Sequence, residues 1–196
     1  MNAPAKYSLK VYQGNTFTLS LRWESDELVY ADISNITKTA PVEITTLAPH
    51  GLPDGWRARV YGVGGMKEIN SDAYSVSKVI STTSISVNSI NAKQFSTYTS
   101  GGTLEYKKPI DLAAYTARMQ VRKNTSSEVL LEVSSASGEI VLDNILKTIT
   151  ITIPSSITSA LTFSAGVYSL ELTNTTNDSV YTMLDGIIRV IPEITR

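Results

Sequence analysis

The fold is decided by three stretches near the middle of the chain, Ile44-Thr-Thr-Leu-Ala-Pro-His-Gly-Leu-Pro-Asp-Gly55, Gly62-Val-Gly-Gly-Met-Lys-Glu-Ile-Asn70 and Tyr98-Thr-Ser-Gly-Gly-Thr103. Glycine and proline at this density mark tight turns. Short runs typical of β-strands lie between the turns: Val42-Glu-Ile-Thr, Arg57-Ala-Arg-Val-Tyr61, Tyr74-Ser-Val-Ser-Lys-Val-Ile80, Ser84-Ile-Ser-Val87 and Thr103-Leu-Glu-Tyr106. Because closure removes exposed sheet edges, they predict a small β-barrel-like domain over residues 35–104.

Strict alternation of apolar and polar residues marks the sequence on both sides of this module. It is clearest at Phe17, Leu19, Leu21 and Trp23, at Tyr115, Ala117, Met119 and Val121, at Val129, Leu131 and Val133, at Ile149, Ile151 and Ile153, and at Tyr168, Leu170 and Leu172. Such a period of two is typical of antiparallel strands with one face on a core and the other in water.

The first arm, residues 1–34, offers only two or three strands, which are too few for a core of their own. We therefore expect it to fold with residues 105–196 into one discontinuous antiparallel sandwich of immunoglobulin-like type, with residues 35–104 as an insertion. One helix of at most two turns is predicted over residues 154–161, with Pro154 at the first helical position. The predicted fold class is all-β.

Composition excludes several classes of function. The chain has 196 residues, a formal net charge of −1 and no cysteine. The near-zero net charge gives no excess of basic residues to bind a nucleic-acid backbone. Without cysteine, the chain has no disulfide, thiolate zinc site or cysteine nucleophile. The first residues lack the apolar core of a signal peptide, and no apolar run approaches the roughly 20 residues of a membrane span. We expect a soluble protein made in a cytoplasm, with no nucleic-acid or membrane partner.

The middle module resembles a repeat found in many phage tail proteins. The likeness rests on His50-Gly-Leu, on Val60-Tyr-Gly-Val-Gly-Gly-Met-Lys-Glu-Ile-Asn70 and on Tyr98-Thr-Ser-Gly-Gly-Thr103. That repeat is itself similar to the first catalytic cysteine half-domain of ubiquitin-activating enzymes. Without a cysteine or a nucleotide-binding glycine loop, this chain is not expected to share their chemistry.

The flanking arms resemble immunoglobulin-like domains of phage virions. The resemblance rests on four sequence segments: Tyr12-Gln-Gly-Asn-Thr-Phe-Thr-Leu19, Pro109-Ile-Asp-Leu-Ala-Ala-Tyr-Thr-Ala-Arg-Met-Gln-Val-Arg122, Gly166-Val-Tyr-Ser-Leu-Glu-Leu172 and Leu184-Asp-Gly-Ile-Ile-Arg-Val190. This resemblance implies a structural component of a phage tail, neck or baseplate, located in the virion. Its implied partners are portal, tail-tube, baseplate or fibre proteins and further copies of itself in a ring.

Three features could be mistaken for catalytic or ligand sites. His50 is the sole histidine, and we interpret it as a turn residue before Gly51 rather than a base, a metal ligand or a pH sensor. The run Gly62-Val-Gly-Gly-Met lacks the Lys-Ser or Lys-Thr of a phosphate loop and is interpreted as a hairpin with positive φ. The acids Asp26, Glu27, Asp72 and Asp185 lie beside turn signals and are interpreted as surface residues.

Aromatic residues leave an alternative open. Several tyrosines could line a sugar-binding face or could serve packing and subunit contacts, namely Tyr12, Tyr30, Tyr61, Tyr74, Tyr98, Tyr106 and Tyr115. Trp23 is expected in the core, because it continues an alternating strand. Trp56 follows a glycine-rich turn and is expected to be exposed.

The sequence thus predicts a non-enzymatic structural protein that acts by symmetric assembly and attachment of tail or fibre proteins. It predicts no catalytic, cofactor-binding or metal-binding residue and no cofactor. The alternative function is a host-receptor or carbohydrate-binding accessory module of the virion, with Trp56 and the tyrosines around it as contact residues.

Overall fold

A computed structural model describes residues 4–194, and it is almost all β, with 54% strand and 4% helix. Its strands are β1 (Ala5–Lys6), β2 (Leu9–Tyr12), β3 (Phe17–Arg22), β4 (Glu24–Ile36), β5 (Val42–Thr46), β6 (Arg57–Gly64), β7 (Ser75–Val76), β8 (Lys78–Ser81), β9 (Ser84–Val87), β10 (Ser100–Pro109), β11 (Tyr115–Arg122), β12 (Val129–Ser134), β13 (Ile140–Asp143), β14 (Thr148–Ile153), β15 (Ala165–Asn174) and β16 (Val180–Ile191). A 3-10 turn (Lys67–Ile69) and a helix, α1 (Ser155–Ser159), accompany them. The predicted all-β class is confirmed.

The chain divides into two compact units. The first, here the outer unit, combines the residues up to Trp23 with those from Asp111 onward, and the second, the middle unit, is Glu24–Ile110. The middle unit is longer at both ends than the predicted 35–104. The reason is that β4 and β10 pair with each other from the start of β4 to Asp32, so both belong to one sheet.

The outer unit is a sandwich of two sheets. The larger has the order β1-β16-β15-β11-β12, with β2 also paired to β16, and the smaller has the order β13-β14-β3. Its pairs are antiparallel except for β1 and β2, which run parallel to β16. Both chain arms therefore contribute strands to each sheet.

One apolar core lies between these two sheets. The predicted alternation places Ile149, Ile151 and Ile153 of β14 in this core with no exposed surface, while the threonines between them face outward. Met119 of β11 is equally buried in the facing sheet. Trp23 is partly buried against the same core, and its ring centroid lies 5.3 Å from that of Tyr115. This burial at period two is what fixes strand register.

The helix is shorter than predicted. Pro154 precedes it in an extended conformation, with ψ of 155°, so it is the N-cap residue and not the first helical residue. Thr158 is fully buried, and its hydroxyl donates to the carbonyl of Asn15 at 2.8 Å. The helix thus fastens the turn between β2 and β3.

The middle unit is a nearly closed, barrel-like sheet with the strand order β7-β6-β10-β4-β5-β9-β8. The two ends of this order, β7 and β8, are successive strands separated only by Ser77. The Ser77 N–H and hydroxyl both donate to the carbonyl of Trp56, at 2.8 and 2.9 Å. The sequence predicted one strand over residues 74–80. That segment is instead split between the two ends of the sheet, and this split nearly closes it.

The interior of this sheet is filled by a second apolar cluster. Its members are Ile33, Ile36, Val42, Ile44, Leu52, Trp56, Ala58, Val60, Val63, Met66, Ile69, Ile85, Val87, Ala92, Leu104 and Tyr106. All of them belong to the middle unit, so this unit has a core of its own.

Candidate functional site

Glu105 is an unusual residue on the outer face of the middle unit. Its strand neighbours Leu104 and Tyr106 point into the barrel core, so alternation turns Glu105 outward. The side chains of Thr103 and Lys107 share that face and are partly exposed, yet only 2% of Glu105 is exposed. Other side chains must therefore cover the carboxylate.

Arg59 and Tyr74 provide this cover. Arg59 Nε donates to Glu105 Oε1 at 2.7 Å and Nη2 donates to Oε2 at 3.0 Å, which is the bidentate geometry of a strong ion pair. The Tyr74 hydroxyl donates to Oε1 at 2.5 Å. Glu105 is the register partner of Arg59 on β6 and of Tyr30 on β4, so the three residues form one row across adjacent strands.

These contacts shift the ionisation of each partner. The hydrogen bonds from Arg59, together with that from Tyr74, hold the pKa of Glu105 below its ordinary value despite its burial. Burial, followed by the hydrogen bond to Glu105, raises the pKa of Tyr74 to about 12. The hydrogen bond to Glu105 raises the pKa of Arg59. At neutral pH the cluster thus holds a carboxylate, a guanidinium and a neutral phenol.

Aromatic rings surround the guanidinium. The Arg59 Cζ atom lies 5.4 Å from the ring centroid of Tyr61 and 5.6 Å from that of Tyr74, within the range of cation–π attraction. Tyr61 is 36% exposed and Tyr30 is 56% exposed. We name the surface formed by Arg59, Glu105, Tyr30, Tyr61 and Tyr74 the tyrosine face. It offers flat rings and fixed hydrogen-bonding groups, which suit the binding of a ligand.

A small cleft of about 160 Å³ adjoins the tyrosine face. It is lined by Glu24, Arg57, Tyr74 and Lys107. Arg57 pairs with Glu24 at 3.1 Å, so a positive charge in the cleft is compensated. The volume lies below the 300–1,000 Å³ that is typical of an enclosing ligand pocket.

His50 is a buried structural residue. Its Nδ1 accepts a hydrogen bond from the Leu52 N–H at 3.0 Å, so Nε2 carries the proton and donates to the Ser81 carbonyl at 3.0 Å. The turn at Gly51 has φ of +65°, and the carbonyl of His50 accepts from the Tyr106 hydroxyl at 2.6 Å. Both ring nitrogens are therefore engaged in holding the turn, as expected for a turn residue.

The glycine run at the end of β6 does not form a simple hairpin. Gly62 and Gly65 have positive φ, as predicted, but the chain continues into the 3-10 turn before it reaches β7. A Cβ atom on Gly65 would lie 2.2 Å from the carbonyl oxygen of Thr97, so this glycine permits close backbone approach. The run packs two segments of the middle unit together.

The acidic candidates are dispersed: Asp26, Glu27 and Asp72 are exposed as expected, whereas Asp185 is partly buried. Asp26 lies 3.6 Å from Lys107, and Glu27 pairs with Lys108 at 3.0 Å. Asp72 is fully exposed, 3.6 Å from Arg59. Asp185 lies on the other unit, where it accepts from Lys6 at 2.5 Å. Within residues 4–194, no group of three His, Asp or Glu side chains comes together as a metal site.

The expectation of an exposed Trp56 is wrong. Trp56 has no exposed surface, and its indole N–H donates to the carbonyl of Lys107 at 2.9 Å. The physical reason lies in the alternation of β6, where Ala58 and Val60 point inward and Trp56 shares their phase. Trp56 is therefore one of the side chains that fill the interior of the barrel.

The tyrosines divide into several groups. Tyr106 is buried in the barrel core, and Tyr98, Tyr115 and Tyr74 are partly buried. Tyr12 is 53% exposed on the outer unit. Sequence reasoning did not single out Glu105 and Arg59, because their pairing needs a register between distant strands. The sequence does indicate that both side chains face outward, because each lies between two core residues of its strand.

A second concave surface lies on the larger sheet of the outer unit. It has a volume of about 710 Å³, and its lining includes Arg118, Arg122, Val167 and Ile187. Two of its cations face carboxylates, since Lys6 pairs with Asp185 and Arg118 lies 3.8 Å from Glu171. Arg122 instead donates to the Ser127 carbonyl at 2.6 Å.

Apolar side chains are exposed at the β13–β14 hairpin of the outer unit. Ile145 at its tip is 86% exposed, Leu146 is 43% exposed and Val141 on β13 is 56% exposed. The tip is held in shape, since Asp143 Oδ1 accepts from the backbone N–H groups of Ile145 and Leu146, both at 2.8 Å. An ordered tip with exposed apolar side chains is typical of a contact site.

No family model matches the chain, and no curated protein matches it. Within residues 4–194, no helix is both long enough and apolar enough to span a bilayer.

Proposed function

We propose that the protein is a non-enzymatic structural component of a bacteriophage tail, neck or baseplate. It would act by symmetric assembly and would attach tail or fibre proteins. The resemblance of both units to phage virion domains suggests the setting, and the exposed apolar hairpin is the single structural observation that carries the assembly role.

The hairpin lies at a sheet edge. Within the described chain, β13 pairs only with β14, and β12 is the last strand of the larger sheet. Both edges leave backbone N–H and C=O groups available for pairing with another chain. Leu130 on β12 is 41% exposed and adds apolar surface. A contact from this edge to a different surface of the next copy would be head-to-tail, and such contacts form a ring when the rotation between successive copies closes.

The location is tested by quantitative mass spectrometry of purified particles of the phage that encodes the chain. The expected result is a copy number that matches the symmetry of the tail or neck. Recovery of the protein only from the cytosol of infected cells would overturn the proposal.

The assembly surface is tested by sedimentation velocity of the purified protein. Replacing Ile145 and Leu146 with serine should shift oligomers toward monomer. A matched control is Val180→Ser, since Val180 is also apolar, 50% exposed and located on the outer unit. Equal effects of the two changes would contradict a specific role of the hairpin.

The alternative function cannot rest on Trp56, because that side chain is buried. Its remaining support is the tyrosine face, whose rings are solvent-accessible.

A further inference from the structure

The tyrosine face holds a charged pair that the barrel does not need for its core. Moving a carboxylate and a guanidinium out of water costs free energy, and apolar replacements of similar size are often as stable. What the Arg59–Glu105 pair does accomplish is positioning. Two hydrogen bonds to Glu105 fix Arg59 beside the rings of Tyr61 and Tyr74, and a third fixes the Tyr74 hydroxyl.

Charges on this face are matched internally. The ion pairs on and beside it are Arg59 with Glu105 and Asp72, Arg57 with Glu24, and Lys107 with Asp26. A phosphate or sulfate group would have to compete with carboxylates that already occupy these cations. A ligand without formal charge meets no such competition, so charge complementarity favours a neutral ligand.

The exposed rings define the chemistry of that ligand further. Tyr30 and Tyr61 each present a flat apolar ring that ends in a hydroxyl, and both are solvent-accessible. A sugar ring has the complementary character, with C–H groups on its faces and hydroxyls around its edge. We propose that the tyrosine face binds a neutral oligosaccharide, which stacks on Tyr30 and Tyr61 and accepts hydrogen bonds from the Arg59 guanidinium, whose side chain is 28% exposed.

The shape of the face favours an extended ligand over an enclosed one. Tyr30 and Tyr61 lie on β4 and β6, which flank β10, so two strand spacings of about 5 Å each separate them laterally. The adjoining cleft of about 160 Å³ is too small to enclose an oligosaccharide. The ligand would thus lie across the strands and contact successive sugar units. This inference does not depend on the proposed assembly role.

The experiment measures binding of soluble hexasaccharides to the full chain by isothermal titration calorimetry and saturation-transfer NMR. The neutral probes are maltohexaose, cellohexaose and chitohexaose, and the anionic comparator is a sulfated heparin hexasaccharide. We expect at least one neutral probe to bind, with Tyr30→Ala and Tyr61→Ala each weakening it about tenfold through the loss of a stacking platform.

Tyr12→Ala is the matched control, because Tyr12 is 53% exposed against 56% for Tyr30 but lies on the outer unit. Tyr30→Phe and Tyr61→Phe keep the rings and should retain most of the affinity, which keeps the test valid should an alanine variant fold poorly.

The proposal is overturned if no neutral probe binds, if the sulfated probe binds more tightly than the neutral ones, or if Tyr12→Ala weakens binding equally. It is also overturned if Tyr30→Ala abolishes self-association instead, because a second copy would then be the occupant. The copy number measured in virions tests the structural role separately, so either proposal can fail without the other.

Discussion

Glu105 accepts two hydrogen bonds from Arg59, at 2.7 and 3.0 Å. Its side chain lies on the outer face of the sheet, yet only 2% of the residue is exposed. The pair joins β10 to β6 at residues that are also register partners. A buried carboxylate is tolerated when it is paired and costly when it is not. The two residues should therefore behave as one unit when they are mutated.

Arg59→Met should destabilise the protein more than the double change Arg59→Met/Glu105→Leu does. The single change leaves a buried carboxylate without its cation, whereas the double change removes both charges. We expect the single variant to lose on the order of 5 °C in melting temperature. Arg57→Met is the control, since Arg57 lies on the same strand as Arg59 but its side chain is 57% exposed, so its ion pair should contribute less. Additive effects in this cycle would contradict coupling.

Two tyrosines should make the folded state sensitive to alkaline pH. Burial, as the largest cause, raises the pKa of both Tyr74 and Tyr168 to about 12, from an ordinary value of 10.0. Between these values the unfolded chain releases a proton that the folded chain retains, so stability falls as pH rises. The contribution is fully present below about pH 10 and is lost by about pH 12.

Urea unfolding midpoints, measured from pH 8 upward at intervals of about one pH unit, test whether stability falls as pH rises. The free energy of unfolding should decline less steeply in Tyr74→Phe and in Tyr168→Phe than in the unaltered protein, because each variant lacks one of the shifted phenols. The absorbance of tyrosinate should show a late-titrating fraction that shrinks in each variant. Unchanged slopes in both variants would contradict the assignment.

The sequence allowed much of this fold to be predicted, because period-two burial is a local signal. The alternation in β14 and β11 identified their inward residues correctly. The same rule places Trp56 inside, in phase with Ala58 and Val60, whereas the adjacent glycine-rich turn favours an exposed position. A turn limits backbone direction and says little about which way the next side chain points.

Other features depend on contacts between distant residues, and no local pattern contains them. The break at Ser77 follows from hydrogen bonds to Trp56, which is remote in sequence. The row of Tyr30, Glu105 and Arg59 follows from the register of three strands. The sequence alone indicates that each of these side chains faces outward, but it does not indicate that they are neighbours in the sheet.

Gly65→Ala should be far more damaging than Gly62→Ala. Both glycines have positive φ, +77° and +73°, so each substitution carries the strain of a left-handed backbone, about 1–2 kcal/mol. Only at Gly65 does the new methyl meet backbone, 2.2 Å from the Thr97 carbonyl oxygen, whereas nothing lies within 4 Å of it at Gly62. Urea unfolding should therefore show a modest loss for Gly62→Ala and a loss of several kcal/mol for Gly65→Ala. Equal losses would mean that φ strain alone governs both positions.

The middle unit, expressed alone as residues 24–110, should fold cooperatively. Its core cluster runs from Ile33 to Tyr106 and draws on no residue outside the unit. Its first and last strands are hydrogen-bonded neighbours, with Glu24 opposite Pro109, so excision leaves two adjacent ends and no broken strand pair. By contrast, residues 36–104 alone would lose most of β4 and the end of β10, and should not fold. Circular dichroism and thermal melting of the two fragments make the comparison, and a disordered 24–110 fragment would show that its core depends on the rest of the chain.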